Sequence, residues 1–155
     1  MIDLSALTPL ALDAEAVRAM LPHRPPLLLV DSVSGISVSP PALRAHKDVL
    51  ATEPVLAGHF PQRPIWPGIY TVEGLAQTCA LLGALQQQGD SAAPQSAAMV
   101  AANVKFTAPV NPGDRLDYLV LWTFRFEAMH RFDVEATVAG KSVAKGTLTL
   151  VVGAP

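Results

Sequence analysis

An isolated carboxylate and an upstream histidine are the residues of this sequence best suited to acid–base chemistry. Glu73 is the only acidic or basic side chain between Arg63 and Asp90, in a segment that is otherwise mostly apolar or small. A buried carboxylate is costly unless a polar partner or a bound proton offsets its charge. The nearest histidine is His59, fourteen residues upstream. The loop that joins them, residues 58–68, contains three prolines and is therefore expected to be stiff. A histidine, a rigid loop and a buried acid together predict an acid–base site.

The segment that carries Glu73, residues 69–85, is predicted to be a helix. It is apolar or small on nearly every side, so other elements must surround it. Pro67 and Gly68 precede it and favour a sharp helix start. Glycine inside a helix costs about 0.5–1 kcal/mol relative to alanine, which indicates a packing or space requirement beside it. The small residues of this segment are Gly74, Ala76, Cys79, Ala80 and Gly83.

Strand patterns surround this predicted helix on both sides. Four consecutive strands are predicted after it, at residues 97–108, 115–127, 131–138 and 142–152. The short turn sequences between the later strands favour an antiparallel meander. Before the helix, the sequence predicts a short helix over 14–21 capped by Asp13, a strand over 27–33 and a looser strand pattern over 36–49. Pro40 and Pro41 favour an edge or a bend in that last segment. Residues 89–94 are predicted to end the long helix in a flexible loop. These patterns predict an α+β fold with four to six antiparallel strands around one helix.

Composition predicts one domain spanning residues 1–155. Half of the residues are apolar and the net charge is -2, which suits a compact core and provides no basic block for nucleic acid. The single cysteine, Cys79, excludes an internal disulfide and a cysteine-rich zinc site. No basic residue precedes Arg18, which is not typical of a secretory signal, so we expect a cytoplasmic protein. Residues 69–85 are interrupted by polar side chains and are shorter than the roughly 20 apolar residues of a membrane span.

Four segments of the chain resemble one known family. They are residues 21–31, 58–68, 73–77 and 104–114. In this order and spacing they resemble the 3-hydroxyacyl-[acyl-carrier-protein] dehydratases of the FabZ type, over about residues 14–152. The resemblance implies the hotdog fold, in which a curved antiparallel sheet wraps a long helix. It also implies a substrate bound to acyl carrier protein, no metal or diffusible cofactor, and a homodimer or a trimer of dimers.

The resemblance also implies roles for individual residues. His59 matches the family's catalytic histidine and Glu73 its catalytic acid, with the two facing each other from different protomers. Gln77 follows Glu73 by one helical turn and can orient it. The amide of Gly68, at the start of the helix, is the candidate for polarising the thioester carbonyl.

Three aromatic residues, Phe60, Trp66 and Tyr70, are expected at the rim or wall of the acyl channel. The family usually has a methionine at the position of Trp66 and an aliphatic residue at that of Tyr70, so we expect a reshaped channel. Glutamate at position 73, where the isomerising FabA branch tends to carry aspartate, favours dehydration without isomerisation.

Other interpretations stay open at this point. A hotdog thioesterase would use a carboxylate to direct water at the thioester, and a non-catalytic acyl- or carrier-binding module would bind without turnover. His23 is expected to organise the start of a strand, whereas His46 and His130 are expected at the surface. The candidates for docking an acidic carrier protein are Arg24, Arg44, Lys105, Arg125 and Arg131.

Overall fold

The computed structural model describes residues 7–86 and 96–153, which form one sheet, two α-helices and one short 3-10 helix, Pro54–Ala57. The predicted loop over residues 89–94 lies outside these described residues. The elements in chain order are β1 (Thr8–Leu12), α1 (Ala14–Met20), β2 (Ser32–Val38), β3 (Pro41–Asp48), α2 (Gly68–Gln86), β4 (Ala97–Phe106), β5 (Arg115–Phe126), β6 (Met129–Val138) and β7 (Lys141–Val152).

The strands form a single antiparallel sheet in the order β1-β2-β3-β5-β6-β7-β4. Helix α2 contacts strands β3 to β7, so most of its surface is covered, as its nearly continuous apolar sequence predicts. Leu75, Leu81 and Leu82 are fully buried in the core between helix and sheet. The α+β prediction, with a long helix against an antiparallel sheet, is confirmed.

The sheet has seven strands, so the prediction of four to six was too low. The missed strand is β1, which includes Pro9 and pairs only with β2 at the edge of the sheet. Its short sequence shows no clear alternation of apolar and polar residues. Pro40 lies in the turn between β2 and β3, which is the bend that the sequence allowed, while β3 itself is an interior strand.

The strand predicted over residues 27–33 was wrong for most of its length, because β2 begins only at Ser32. The backbone of Leu27 and Leu29 is held by a side chain of α2, and only Asp31 N–H reaches a strand, at the His46 carbonyl of β3. The Leu29 N–H donates to Gln77 Oε1 at 2.9 Å, and Gln77 Nε2 donates to the Leu27 carbonyl at 2.7 Å. One buried amide therefore satisfies two backbone groups that a strand partner would otherwise satisfy.

Two histidines expected at the surface are buried. His46 is 8% exposed and His130 is 2% exposed. His46 contacts polar side chains of β2 and β5, and the ring of His130 packs beside Trp122 with ring centroids 4.6 Å apart. These partners lie far away in sequence or on a neighbouring strand, so local sequence gave no sign of the burial.

Among the described residues, no helix has the length and apolar character needed to cross a membrane.

Candidate active site

The loop that precedes α2 is closed by its own backbone. Ile65 N–H donates to the His59 carbonyl at 2.8 Å, and Arg63 N–H donates to the Phe60 carbonyl at 3.0 Å. The Trp66 N–H then ties the loop to the Val110 carbonyl at 2.8 Å. These bonds and the three prolines of the loop fix the backbone that carries His59. The stiffness predicted from the sequence therefore has a direct structural basis.

The bonding of His59 determines which of its ring nitrogens can act as a base. Nδ1 lies 2.7 Å from the Ile65 carbonyl oxygen, which can only accept a hydrogen bond. In the neutral ring, the proton is therefore on Nδ1 and the lone pair is on Nε2. No residue in 7–86 or 96–153 makes a hydrogen bond to Nε2, so this nitrogen remains available for a proton.

His59 lines a cavity of about 510 Å³ beside the start of α2. Gly68, the first residue of the helix, lines the same cavity. Within the described part of the chain, the N–H groups of Gly68 and Ile69 have no acceptor, whereas those of Tyr70 and Thr71 point to the Pro67 carbonyl. Free N–H groups and the helix dipole favour negative charge at this point. The cavity thus joins an imidazole base to a site for a developing anion.

A side chain at position 68 would fill this site. A Cβ built on Gly68 would lie 2.8 Å from the Phe106 ring. Glycine at this position lets the aromatic ring of β4 approach the first helical turn closely. Any larger residue at position 68 would displace this ring, which also lines the cavity.

The three predicted aromatic residues occupy different positions. Trp66 is 2% exposed and lines the cavity together with His59. Tyr70 packs edge-on against Trp66, with ring centroids 5.3 Å apart. Phe60 is 55% exposed, and its ring stacks on His59 at a centroid distance of 4.3 Å. Trp66 is therefore a wall residue, while Phe60 covers the outer side of the imidazole.

Glu73 lies in a second cluster on α2, away from the lining of this cavity. Its Oε1 accepts a hydrogen bond from Gln77 Nε2 at 3.0 Å and lies 3.3 Å from His23 Nε2. About a third of its side chain is exposed, at 33%. The predicted orienting role of Gln77 thus has a direct contact behind it, and one turn of helix separates the two residues as expected.

The described residues of one chain show no hydrogen bond or ion pair between His59 and Glu73. The two residues occupy separate environments, the cavity beside Gly68 and the cluster with His23. This separation is compatible with the expectation that one protomer supplies the histidine and another the acid.

The contact of His23 with Glu73 was missed by sequence reasoning, which assigned His23 only to the start of a strand. Fifty positions separate the two residues, so no local spacing links them. Among the basic docking candidates, three have intrachain contacts. Arg24 donates to the carbonyls of Leu21 and His23, Arg44 donates to Ser34, and Arg125 lies over the Trp122 ring. Lys105 and Arg131 are exposed.

No group of three or more His, Cys, Asp or Glu side chains within residues 7–86 and 96–153 is arranged to hold a metal ion.

Comparison with known proteins identifies the family that shares these segments. Residues 21–147 match the family model described as the FabA-like domain. The chain belongs to the FabA-like dehydratase family. The match includes the loop with His59, helix α2 with Glu73 and the segment of His23, so the site described above lies within the family domain.

Several curated members of this FabA-like family are similar to the chain over most of its length. A "3-hydroxyacyl-[acyl-carrier-protein] dehydratase FabZ" from Anaeromyxobacter sp. (strain Fw109-5) is 41% identical over 137 residues, covering 86% of this chain and 85% of that protein. A protein of the same name from Pseudothermotoga lettingae is 40% identical over 142 residues, covering 92% and 96%. These relatives support the assignment of this protein as a dehydratase.

Solved structures confirm the hotdog fold. A chain of the dehydratase heterocomplex ApeI:P from Xenorhabdus doucetiae aligns with a TM-score of 0.70 and 22% identity, covering 88% of this chain and 90% of that chain. The fluoroacetyl-CoA thioesterase FlK aligns with a TM-score of 0.60 and 14% identity, covering 72% and 84%. Dehydratases and thioesterases share this architecture, so the fold does not by itself separate the two activities.

Proposed function

We propose that this protein removes water from (3R)-3-hydroxyacyl chains bound to acyl carrier protein and gives trans-2-enoyl thioesters. The observation that carries the proposal is the state of His59. Its Nδ1 is committed to the Ile65 carbonyl, its Nε2 has no partner among the described residues, and the residue lines the same cavity as Gly68. This arrangement suits proton abstraction next to a carbonyl. The similarity to FabZ proteins supports the substrate class.

In the proposed mechanism, the thioester carbonyl oxygen accepts a hydrogen bond from the Gly68 N–H. His59 Nε2 removes the α-proton from C2, and negative charge develops on that oxygen near the helix start. The electron pair then forms the C2–C3 double bond as the C3–O bond breaks. Glu73 transfers its proton to the departing hydroxyl, so water leaves. Transfer of the proton from His59 back to Glu73, directly or through water, restores both groups.

The direct test is product analysis on intact carrier protein. Purified wild type should convert 3-hydroxyacyl carrier thioesters to products lighter by one water, as measured by mass spectrometry. His59→Ala should lower this rate by about 10²- to 10⁴-fold, because the general base is lost. Its circular dichroism should match wild type. Release of free acid would instead indicate a thioesterase, and binding without any product would indicate an acyl-binding module.

We also propose that the complete site forms between two copies of the chain. Strand β4 is at the edge of the sheet and most of it is exposed. It carries exposed apolar side chains, including Met99 at 41%, Val100 at 56% and Phe106 at 49%. Exposed edges with such side chains are usually covered by a partner. Pairing at this edge would bring a second α2 next to the cavity that His59 lines.

Subunit complementation tests this arrangement. His59→Ala and Glu73→Gln proteins, each inactive alone, are co-refolded in equal amounts. Random pairing makes half of the dimers mixed, each with one intact site of two, so about a quarter of wild-type activity should return. A mixture that stays inactive, while native mass spectrometry shows mixed dimers, would place both residues in one chain's site. A cytoplasmic location remains a prediction from the sequence.

A further inference from the structure

The amide of Gln77 has only one possible orientation. The Leu29 N–H can only donate and the Leu27 carbonyl can only accept, so the Gln77 oxygen faces Leu29 at 2.9 Å and its nitrogen faces Leu27 at 2.7 Å. The second hydrogen of the Gln77 nitrogen then points to Glu73 Oε1 at 3.0 Å. Glu73 Oε1 is therefore an acceptor, whatever the protonation state of the carboxyl group.

His23 approaches the same oxygen from another direction. Its Nε2 lies 3.3 Å from Glu73 Oε1. Its Nδ1 is buried and has no hydrogen-bond partner among the described residues. A proton on Nδ1 would be an unsatisfied buried donor, which is costly. The neutral tautomer with the proton on Nε2 leaves Nδ1 as a bare acceptor instead, and it places the N–H on the ring nitrogen that lies 3.3 Å from Oε1.

We propose that His23 is a positioning residue that, with Gln77, makes Oε1 of Glu73 a fixed acceptor and assigns the transferable proton to Oε2. This inference rests on the proposed dehydration. In the step considered, the Oε2–H bond breaks, the proton moves to the 3-hydroxyl oxygen as the C3–O bond breaks, and Glu73 becomes a carboxylate. The two N–H donors on Oε1 stabilise the negative charge that forms. The His23 Nε2–Oε1 contact of 3.3 Å lacks hydrogen-bond geometry in the free protein, and such contacts commonly tighten and align when substrate binds.

Three substitutions test whether His23 acts as a hydrogen-bond donor or only fills space beside Glu73. His23→Leu introduces an apolar side chain that has no N–H. His23→Gln provides an N–H at about the same distance from the backbone. His46→Gln is the matched control, since that histidine lies in another cluster. We expect His23→Leu to lower kcat by about 10- to 100-fold with little change in KM, because a donor to a developing charge is lost. His23→Gln should recover most of the loss.

The outcomes distinguish this inference from the proposed function. If wild type forms no enoyl product, the dehydratase proposal is wrong. If wild type is active and His23→Leu keeps its kcat, or His23→Gln falls as far as His23→Leu, the positioning role of His23 is wrong.

Nitrogen NMR of histidine-labelled wild type provides a second readout, which does not depend on the activity of any variant. The spectrum of His23→Gln identifies the His23 signals by their loss. We expect an Nε2–H tautomer with a bare Nδ1 for His23. A neutral ring with its proton on Nδ1 would overturn the assignment.

Discussion

His46 and His59 differ in how much of their hydrogen-bonding capacity is already used. His46 Nδ1 lies 2.5 Å from Asp117 Oδ1, and its Nε2 lies 2.5 Å from Ser34 Oγ. Ser34 also accepts a hydrogen bond from Arg44 Nε at 2.9 Å. His59, by contrast, lines a cavity and has one nitrogen on a carbonyl, while its other nitrogen has no partner within residues 7–86 and 96–153.

The His46 cluster has the residue types and order of a serine–histidine–aspartate triad, yet it serves a different purpose. Both ring nitrogens are bound to side chains of β2 and β5, and Arg44 holds the serine. The cluster therefore links three neighbouring strands. The comparison teaches that an available lone pair next to a cavity, rather than the residue types alone, separates a chemical histidine from a structural one.

The same substitution at both histidines tests this difference most strongly. His59→Gln should lower kcat by about 10²- to 10⁴-fold and leave thermal stability near wild type, because it removes the general base. His46→Gln should leave kcat near wild type and lower the free energy of unfolding by about 1–3 kcal/mol, because buried polar partners lose a bond. Steady-state kinetics and urea unfolding measure the two quantities.

The opposite pattern would break the comparison. Loss of activity in a folded, stable His46→Gln protein would mean that the Ser34–His46–Asp117 cluster takes part in the reaction. Retained activity in His59→Gln would remove the role of base from His59.

Two glycines of α2 give the next largest expected effects, and they lie in equally contrasting environments. A Cβ on Gly74 would lie 2.3 Å from the Tyr118 hydroxyl, whereas a Cβ on Gly83 would have no neighbour within 4 Å. Gly74→Ala should therefore lower the free energy of unfolding by about 1–3 kcal/mol through overpacking. Gly83→Ala should raise it by about 0.5–1 kcal/mol through helix propensity. Denaturant melts check both, and equal effects at the two positions would contradict the packing argument.

The elements that were predicted correctly are those whose local sequence pattern is enough to identify them, without knowledge of their contacts. Helix α2 was predicted within one residue at each end, because an apolar segment of that length and glycine content must be a covered helix. Strands β5 and β7 were predicted just as closely from their alternation and turns. Residues 27–29 were misassigned because Leu27 and Leu29 bond to the distant side chain of Gln77, which no local pattern reveals.

The candidate site follows the same division. His59 and Glu73 were identified from an isolated charge, a rigid loop and the family resemblance. The bonding of each residue depends on the folded backbone, which brings the Ile65 carbonyl to His59 and the His23 ring to Glu73. The burial of His46 and His130 could not be predicted from local sequence either, because it depends on side chains of other strands.

Tyr118 extends the comparison, because its hydroxyl also lacks a partner among the described residues but does not line the cavity of His59. The residue is 0% exposed, and within the described part of the chain its hydroxyl has no hydrogen-bond partner. Burial, with smaller contributions from Asp31 and Glu53, raises the pKa of this phenol well above its usual range. Tyr118→Phe should therefore raise the free energy of unfolding by about 1 kcal/mol, because an unsatisfied buried group is removed. It should leave kcat unchanged, and a fall in kcat would show that an unpaired group can matter without direct access to the cavity.

The smallest expected effect is the acid sensitivity of the His46 cluster. Burial lowers the pKa of His46 below its ordinary value of 6.5; nearby Arg115 and Arg44 lower it further, and the contact with Asp117 opposes part of this shift. The unfolded chain therefore binds a proton at His46 more readily than the folded protein does, so the free energy of unfolding should fall as the pH drops below about 6.5. His46→Gln removes this titration, and its stability should decline less between neutral and mildly acidic pH than that of wild type. Thermal melts across this range measure the slope, and His59→Gln is the matched control. A wild-type slope that His46→Gln leaves unaltered would mean that other groups carry the acid sensitivity; burial also lowers the pKa of His130, which makes it the next residue to substitute.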